Sequence, residues 1–290
     1  MPVSLPPSVA LPRGVRAGCL RPRAAPPPGE FATLDASPGP GGRARVVLVP
    51  GFTGSKEDFL PLLPLLAAAG HPATAIDLPG QFESPGPEEP AGYTIESLAA
   101  GVRAVVDHVA DGTGVHLVGH SFGGLVARQV VLDDPRGVLS LTLLGSGPGA
   151  IGGGRAAGIE MLPGLLAERG VDGLWEIVEA GDPRRANLPP DIRDFLRRRH
   201  FGTNPVGLVA MGDQLLTAPD RVADLSAIGL AIFVLHGEGD DAWPPDVQAA
   251  MADRLGARYA VVPGAMHSPA CEAPEPTGRL LIDFWAASGR

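Results

Sequence analysis

Cysteine is scarce in this chain, at 2 in 290 residues, and aromatic side chains make up only 5%. Cys19 and Cys271 lie too far apart in sequence to suggest a disulfide framework, and two reduced thiols suit a cytosolic protein. No apolar run approaches the ~18 residues a membrane-spanning helix needs. The stretch Met1 to Gly29 carries Arg13, Arg16, Arg21 and Arg23 among many prolines. It lacks the continuous apolar segment of a signal peptide and reads as an extended or poorly ordered arm. Long runs of one charge sign are also missing, and the net charge is −9. Both features weigh against nucleic-acid binding, which rests on neutralising phosphates. The short basic cluster Arg197-Arg-Arg-His200 reads as a solvated helix face. No Cys/His/carboxylate grouping has metal-ligand spacing, and no G-x-G-x-x-G follows a strand. Neither a metal nor a dinucleotide cofactor is expected.

Glycine and proline are plentiful instead, at 40 and 32, and they punctuate an alternation of strands and helices. Arg45 to Val49, Ala73 to Ile76, Val115 to Val118, Val138 to Leu144, Ala231 to Leu235 and Tyr259 to Val262 read as short apolar strands. Between them lie helical spacings at Phe59 to Ala69, from the cap Thr94 to Val109, at Phe122 to Leu132, near Asp246 to Leu255, and at Glu275 to Ala287. Such alternation predicts an α/β fold, with a mostly parallel central sheet covered by helices on both faces. From about Gly149 to Ser226 the pattern turns helical and irregular, as an insertion at the C-terminal edge of the sheet would. The expected organisation is therefore an arm at 1–29, a core at 30–148 and 227–290, and a helical insertion at 149–226.

The most informative stretch is Gly119-His-Ser-Phe-Gly-Gly124, which lies between a strand and a helix. A serine on such a turn becomes a nucleophile if three further elements exist: a base, an acid that orients it, and donors for an oxyanion. Gly119, Gly123 and Gly124 supply the small residues the sharp turn requires. The backbone N–H of Phe122, after the serine, is one expected oxyanion donor. The loop Pro50-Gly-Phe-Thr-Gly-Ser55 follows an early strand and offers the N–H of Phe52 as the other. The acid should follow the strand ending at Leu235, where His236-Gly-Glu-Gly-Asp-Asp-Ala-Trp-Pro244 lies. Asp240 is the choice, with Glu238 and Asp241 as neighbours that could be confused with it. His267 is the only histidine beyond Asp240, so the chain order Ser–Asp–His leaves one base. His120 reads as packed inside the elbow, and His71, His108, His116, His200 and His236 as structural or surface residues. Cys271 has no elbow-like turn around it and is not read as a nucleophile.

These residues resemble the α/β-hydrolase fold superfamily from about Phe31 to Ala287, outside the insertion. The resemblance rests on Pro50 to Ser55, Asp77-Leu-Pro-Gly80, Gly119 to Gly124, His236 to Asp240 with Pro244, and Gly264-Ala-Met-His267. Two departures stand out: Pro50-Gly51 where the family often has His-Gly, and Gln81-Phe82 where it often has His-Gly. The resemblance implies catalytic Ser121, Asp240 and His267, a backbone oxyanion hole at Phe52 and Phe122, and a helical cap or lid at 149–226. It implies a serine hydrolase, carboxylesterase-like, with a small-molecule substrate, no metal and no cofactor. Ser121 in place of aspartate argues against epoxide opening and dehalogenation.

The apolar residues of the insertion, among them Leu162, Trp175, Phe195, Phe201, Met211 and Leu215, come with few obvious charges. They predict a small or medium apolar ester. Thioester or carbon–carbon bond hydrolysis on a pathway intermediate is the alternative. A non-catalytic small-molecule binding protein on the same fold is the reading from a different class.

Overall fold

The computed structural model describes residues 6–39, 42–110 and 112–288, so the first five residues of the expected arm lie outside it. Among the described residues the eight strands are β1 (Val15–Leu20), β2 (Phe31–Ala36), β3 (Arg45–Val49), β4 (Ala73–Ile76), β5 (Val115–His120), β6 (Val138–Leu144), β7 (Ala231–Gly237) and β8 (Arg258–Val262). They form one sheet in the order β1-β2-β4-β3-β5-β6-β7-β8. Its pairings are parallel from β4 to β8, while β1 with β2 and β2 with β4 are antiparallel.

The strands show why the sheet needs cover on both sides. In β3, Val47 and Val49 belong to one buried cluster and Val46 and Leu48 to the other. In β7, Ile232 and Val234 face the first cluster, Phe233 and Leu235 the second. The first face is packed by α2 (Ile95–Val109), α3 (Phe122–Asp133) and α9 (Pro245–Leu255). The second is packed by α1 (Leu63–Ala68), the short α10 (Pro269–Glu272) and α11 (Pro274–Ala287). Thr94 caps α2, its side chain accepting from the Ser97 N–H.

Three expectations change. The N-terminal arm contributes the edge strand β1, which pairs along its whole length with β2. The helix read over Phe59 to Ala69 is two pieces, a 3-10 turn at Lys56–Phe59 and then α1. Proline at 64 lies in the first turn of α1, where its missing N–H costs nothing. The basic cluster is not wholly solvated, because Arg199 is buried and donates from Nη1 to Asp58 Oδ1 at 2.7 Å.

Between β6 and β7 the chain forms α4 (Gly153–Glu160), α5 (Leu162–Gly181), α6 (Pro190–Gly202), α7 (Pro205–Thr217) and α8 (Val222–Ser226). Ile159, Leu162, Leu174, Leu208, Met211 and Leu215 extend the first core cluster into this segment. Ile192, Phe195 and Leu196 of α6 form a small cluster of their own. The short α8 packs back on α3 and α9. Among the described residues no helix is long and apolar enough to cross a membrane.

Candidate active site

The site gathers at the C-terminal ends of four parallel strands, where loops leave the sheet together. Ser121 follows β5 and precedes α3 with φ 54° and ψ −120°, a backbone conformation that a non-glycine residue rarely adopts. The turn is tight enough to dictate its neighbours. A Cβ on Gly119 would lie 2.3 Å from the Gly123 carbonyl oxygen, and one on Gly123 would lie 2.4 Å from that of Pro50.

His267 lies five residues beyond β8. Its Nε2 is 3.0 Å from Ser121 Oγ, and its Nδ1 is 2.8 Å from Asp240 Oδ1. With Nδ1–H donating to Asp240, Nε2 is left to accept the serine proton. Asp240 sits after β7, where its Oδ1 also accepts the Ala242 N–H and its Oδ2 accepts from Gln248 Nε2. Burial pushes the Asp240 carboxyl up, but the bond and charge of His267 and the other donors outweigh it, holding the group below its ordinary value.

The three acids after β7 separate cleanly. Asp240 takes His267, Glu238 accepts the Gly264 N–H, and Asp241 pairs with Arg155. His120 donates from Nε2 to the His267 carbonyl at 2.8 Å, fixing the backbone that carries the imidazole. Burial and the neighbouring His267 push His120 down to about 3, so it is neutral at ordinary pH and suited to that donor role. His71 and His116 pack with Trp285, and His200 contacts the Val171 carbonyl. The Cys271 thiol is buried against the Asp58 carbonyl and pushed well up by burial, which makes it a poor nucleophile.

Phe122 is the first residue of α3, whose leading N–H groups have no acceptor within the helix. Phe52 lies on the loop after β3 and lines the same cavity as Ser121 and His267. Gln81, where the sequence departs from the family pattern, holds that loop. It is fully buried, accepts the Leu78 N–H through Oε1 and donates through Nε2 to the Gly51 carbonyl at 2.8 Å. The carbonyl of Gly51 and the N–H of Phe52 belong to one planar peptide unit and point in opposite directions. The Gln81 bond therefore fixes the direction of the Phe52 N–H as well. Asp77, from the other half of this motif, is structural: it accepts the Lys56 N–H at 2.7 Å and pairs with Lys56 Nζ at 3.0 Å.

The cavity at Ser121 and His267 is walled by Phe52, Ile151, Ile159, Leu215, Asp58 and Arg155. Thr53 is shared with a second, more apolar cavity under α5 and α6, lined by Leu162, Leu174, Trp175, Val178, Leu196 and Leu208. Of the apolar residues of the insertion named from the sequence, Leu162, Trp175 and Leu215 line cavities. Phe195 and Met211 are buried, while Phe201 is exposed. The expectation of few charges fails: Arg155 lines the first cavity, and Arg185 and Arg199 line the second. The sequence marked Gln81 only as a departure from the family pattern, since the carbonyl it holds lies 30 positions away, and no pattern marked Arg155, whose partner lies 86 positions away.

A mostly parallel eight-stranded sheet with a serine on the turn after a middle strand, in reach of a histidine and an aspartate, defines the α/β-hydrolase class. The sequence profile of the alpha/beta hydrolase family matches residues 46–277, and the chain belongs to that family. It is 32% identical over 183 residues to the dihydrolipoyllysine-residue acetyltransferase component of the acetoin cleaving system of Cupriavidus necator. That match takes in 60% of this chain and 45% of the relative, so the chain spans less than half of the relative's length. It is 26% identical over 244 residues to 2-hydroxy-6-oxononadienedioate/2-hydroxy-6-oxononatrienedioate hydrolase 2 of Pseudomonas putida, covering 81% of this chain and 84% of that one. Among solved structures, one of the carboxylesterases of Nitrososphaera gargenis superposes with a TM-score of 0.74 at 21% identity, over 91% of this chain and 98% of that one. Family and relatives together support hydrolase activity.

Proposed function

We propose that this chain is a serine hydrolase that cleaves small or medium carboxylic esters through an acyl-enzyme. The observation that carries the reading is the unbroken hydrogen-bond relay from Ser121 Oγ through His267 to Asp240, with contacts of 3.0 and 2.8 Å. His267 takes the serine proton as Oγ attacks the acyl carbonyl, and Asp240 holds the imidazole and stabilises its charged form. The N–H groups of Phe52 and Phe122 receive the oxyanion, and each such donor is worth about 3 kcal/mol in the transition state. His267 then protonates the leaving group and activates water to release the acyl group.

The segment 149–226 acts in this reading as a cap that supplies the outer wall. Its cavity of Leu162, Leu174, Trp175, Val178, Leu196 and Leu208 favours an apolar group on one side of the ester. The test is hydrolysis of p-nitrophenyl esters from acetate to decanoate by wild type and Ser121→Ala. The reading expects short-to-medium chain turnover that vanishes in the variant. A folded wild-type protein that turns over none of them would move the reading to a narrow pathway hydrolase or a binding protein.

A further inference from the structure

We infer that Arg155 is an anchor for a carboxylate on the substrate, so that the preferred ester is apolar on one side and anionic on the other. This rests on the serine-hydrolase reading and names the substrate class that the site takes.

Arg155 and Asp58 are the two side chains of full charge among the residues that line the cavity with Ser121, His267 and Phe52. Asp58 is already engaged by Arg199 in an ion pair buried on both sides, so it does not offset Arg155. Arg155 reaches into the cavity from α4, and its Nη2 donates to Asp241 Oδ1 at 2.6 Å. Asp241 adjoins Asp240, so the turn after β7 that orients His267 also holds the guanidinium plane.

The two ends of this pair live in different surroundings. The Arg155 side chain is 14% exposed, whereas that of Asp241 is 49% exposed. Water screens the carboxylate more than it screens the cation on the cavity side. The Nε of Arg155 is buried and has no hydrogen-bond partner among the described residues. A buried donor without an acceptor is costly, and a guanidinium fork matches a carboxylate with two parallel bonds. Ile151, Ile159 and Leu215 complete the wall and keep the local dielectric low, which strengthens that attraction.

The experiment uses esters matched in length with and without a terminal carboxylate. Monobenzyl succinate, glutarate and adipate are compared with benzyl butyrate, valerate and hexanoate for an anionic acyl side. Then 4-carboxyphenyl butyrate is compared with phenyl butyrate for an anionic leaving side. Wild type, Arg155→Met and Arg155→Lys are assayed, and the readout is the ratio of kcat/KM for each charged ester to its neutral match. Taking this ratio cancels any general loss of activity. The proposal expects at least one wild-type ratio of about tenfold or more, carried by KM, falling to about one in Arg155→Met and partly kept in Arg155→Lys. Ratios near one throughout the wild type, or a preference unchanged in Arg155→Met, overturn it. If the protein hydrolyses no ester, titration of glutarate into wild type and Arg155→Met by calorimetry separates the two ideas. Binding that disappears in the variant keeps the anion site without the hydrolase reading, and equal or absent binding removes the site.

Discussion

Around Ser121 the backbone approaches so closely that Gly119 and Gly123 have no room for a methyl group, each facing backbone atoms within 2.6 Å of an added Cβ, while Gly124 faces the Ser146 side chain at 2.4 Å. In α4 and α5, by contrast, a Cβ added at Gly154, Gly164, Gly170 or Gly181 would meet no other part of the fold within 4 Å among the described residues. The same residue type serves opposite ends in the two regions. Below, glycine lets strand, turn and helix touch, and the site inherits its geometry from the backbone. Above, the helical segment is held by side chains: the α7 residues that join the main core, the small cluster on α6, and the buried Arg199–Asp58 pair. A site floor fixed by backbone under a wall fixed by side chains allows the wall to vary in substrate preference without disturbing the relay beneath it.

Substitutions can break this contrast. The largest effect is expected for Gly123→Ala, whose methyl would lie 2.4 Å from the Pro50 carbonyl oxygen and 2.5 Å from that of Val49. It should cost about 4 kcal/mol or more, and urea unfolding reads it. A variant of near-normal stability would show that the floor is not backbone-limited. Next comes Arg199→Leu, which strands Asp58 without its partner at 3% side-chain exposure. The expected loss is about 3 kcal/mol, seen as a lower thermal midpoint. Gln81→Leu should leave stability closer to wild type while lowering kcat about tenfold at similar KM, because the Phe52 N–H loses its fixed direction. Activity kept in Gln81→His but lost in Gln81→Leu would mark the hydrogen bond rather than the volume as the cause. The smallest effect, and of opposite sign, belongs to Gly164→Ala in α5. With open space around it, the alanine should stabilise the chain by about 0.5–1 kcal/mol, which calorimetry can resolve.

The sequence carried most of the floor and little of the wall. The six parallel strands from β3 to β8 were legible, because strands buried on both faces read as continuous apolar runs bounded by Gly and Pro. β1 was not legible. Its middle four residues are exposed and include arginine and glycine, so nothing in its pattern distinguishes an edge strand from an extended arm. Ser121, His267 and Asp240 could be named because chain order and strand ends constrain them. The roles of Asp240 and Asp241 could not be separated by spacing alone, since both sit in one turn and differ only in which partner arrives from elsewhere. Gln81 was visible as a departure, yet its hold on Gly51 depends on two loops meeting at the C-terminal ends of the neighbouring strands β4 and β3. The insertion was readable as helical, but which of its apolar residues face a cavity depends on how the helices rotate against the core.

The central claim is that Ser121 is the nucleophile of an acyl transfer. Incubating the intact protein with a fluorophosphonate, then measuring whole-protein mass and mapping the modified peptide, tests it most directly. A single adduct on the peptide that contains Ser121, absent from Ser121→Ala and slowed in His267→Ala, is the predicted result. An unmodified wild-type protein, or an adduct on another residue that persists in Ser121→Ala, would contradict it.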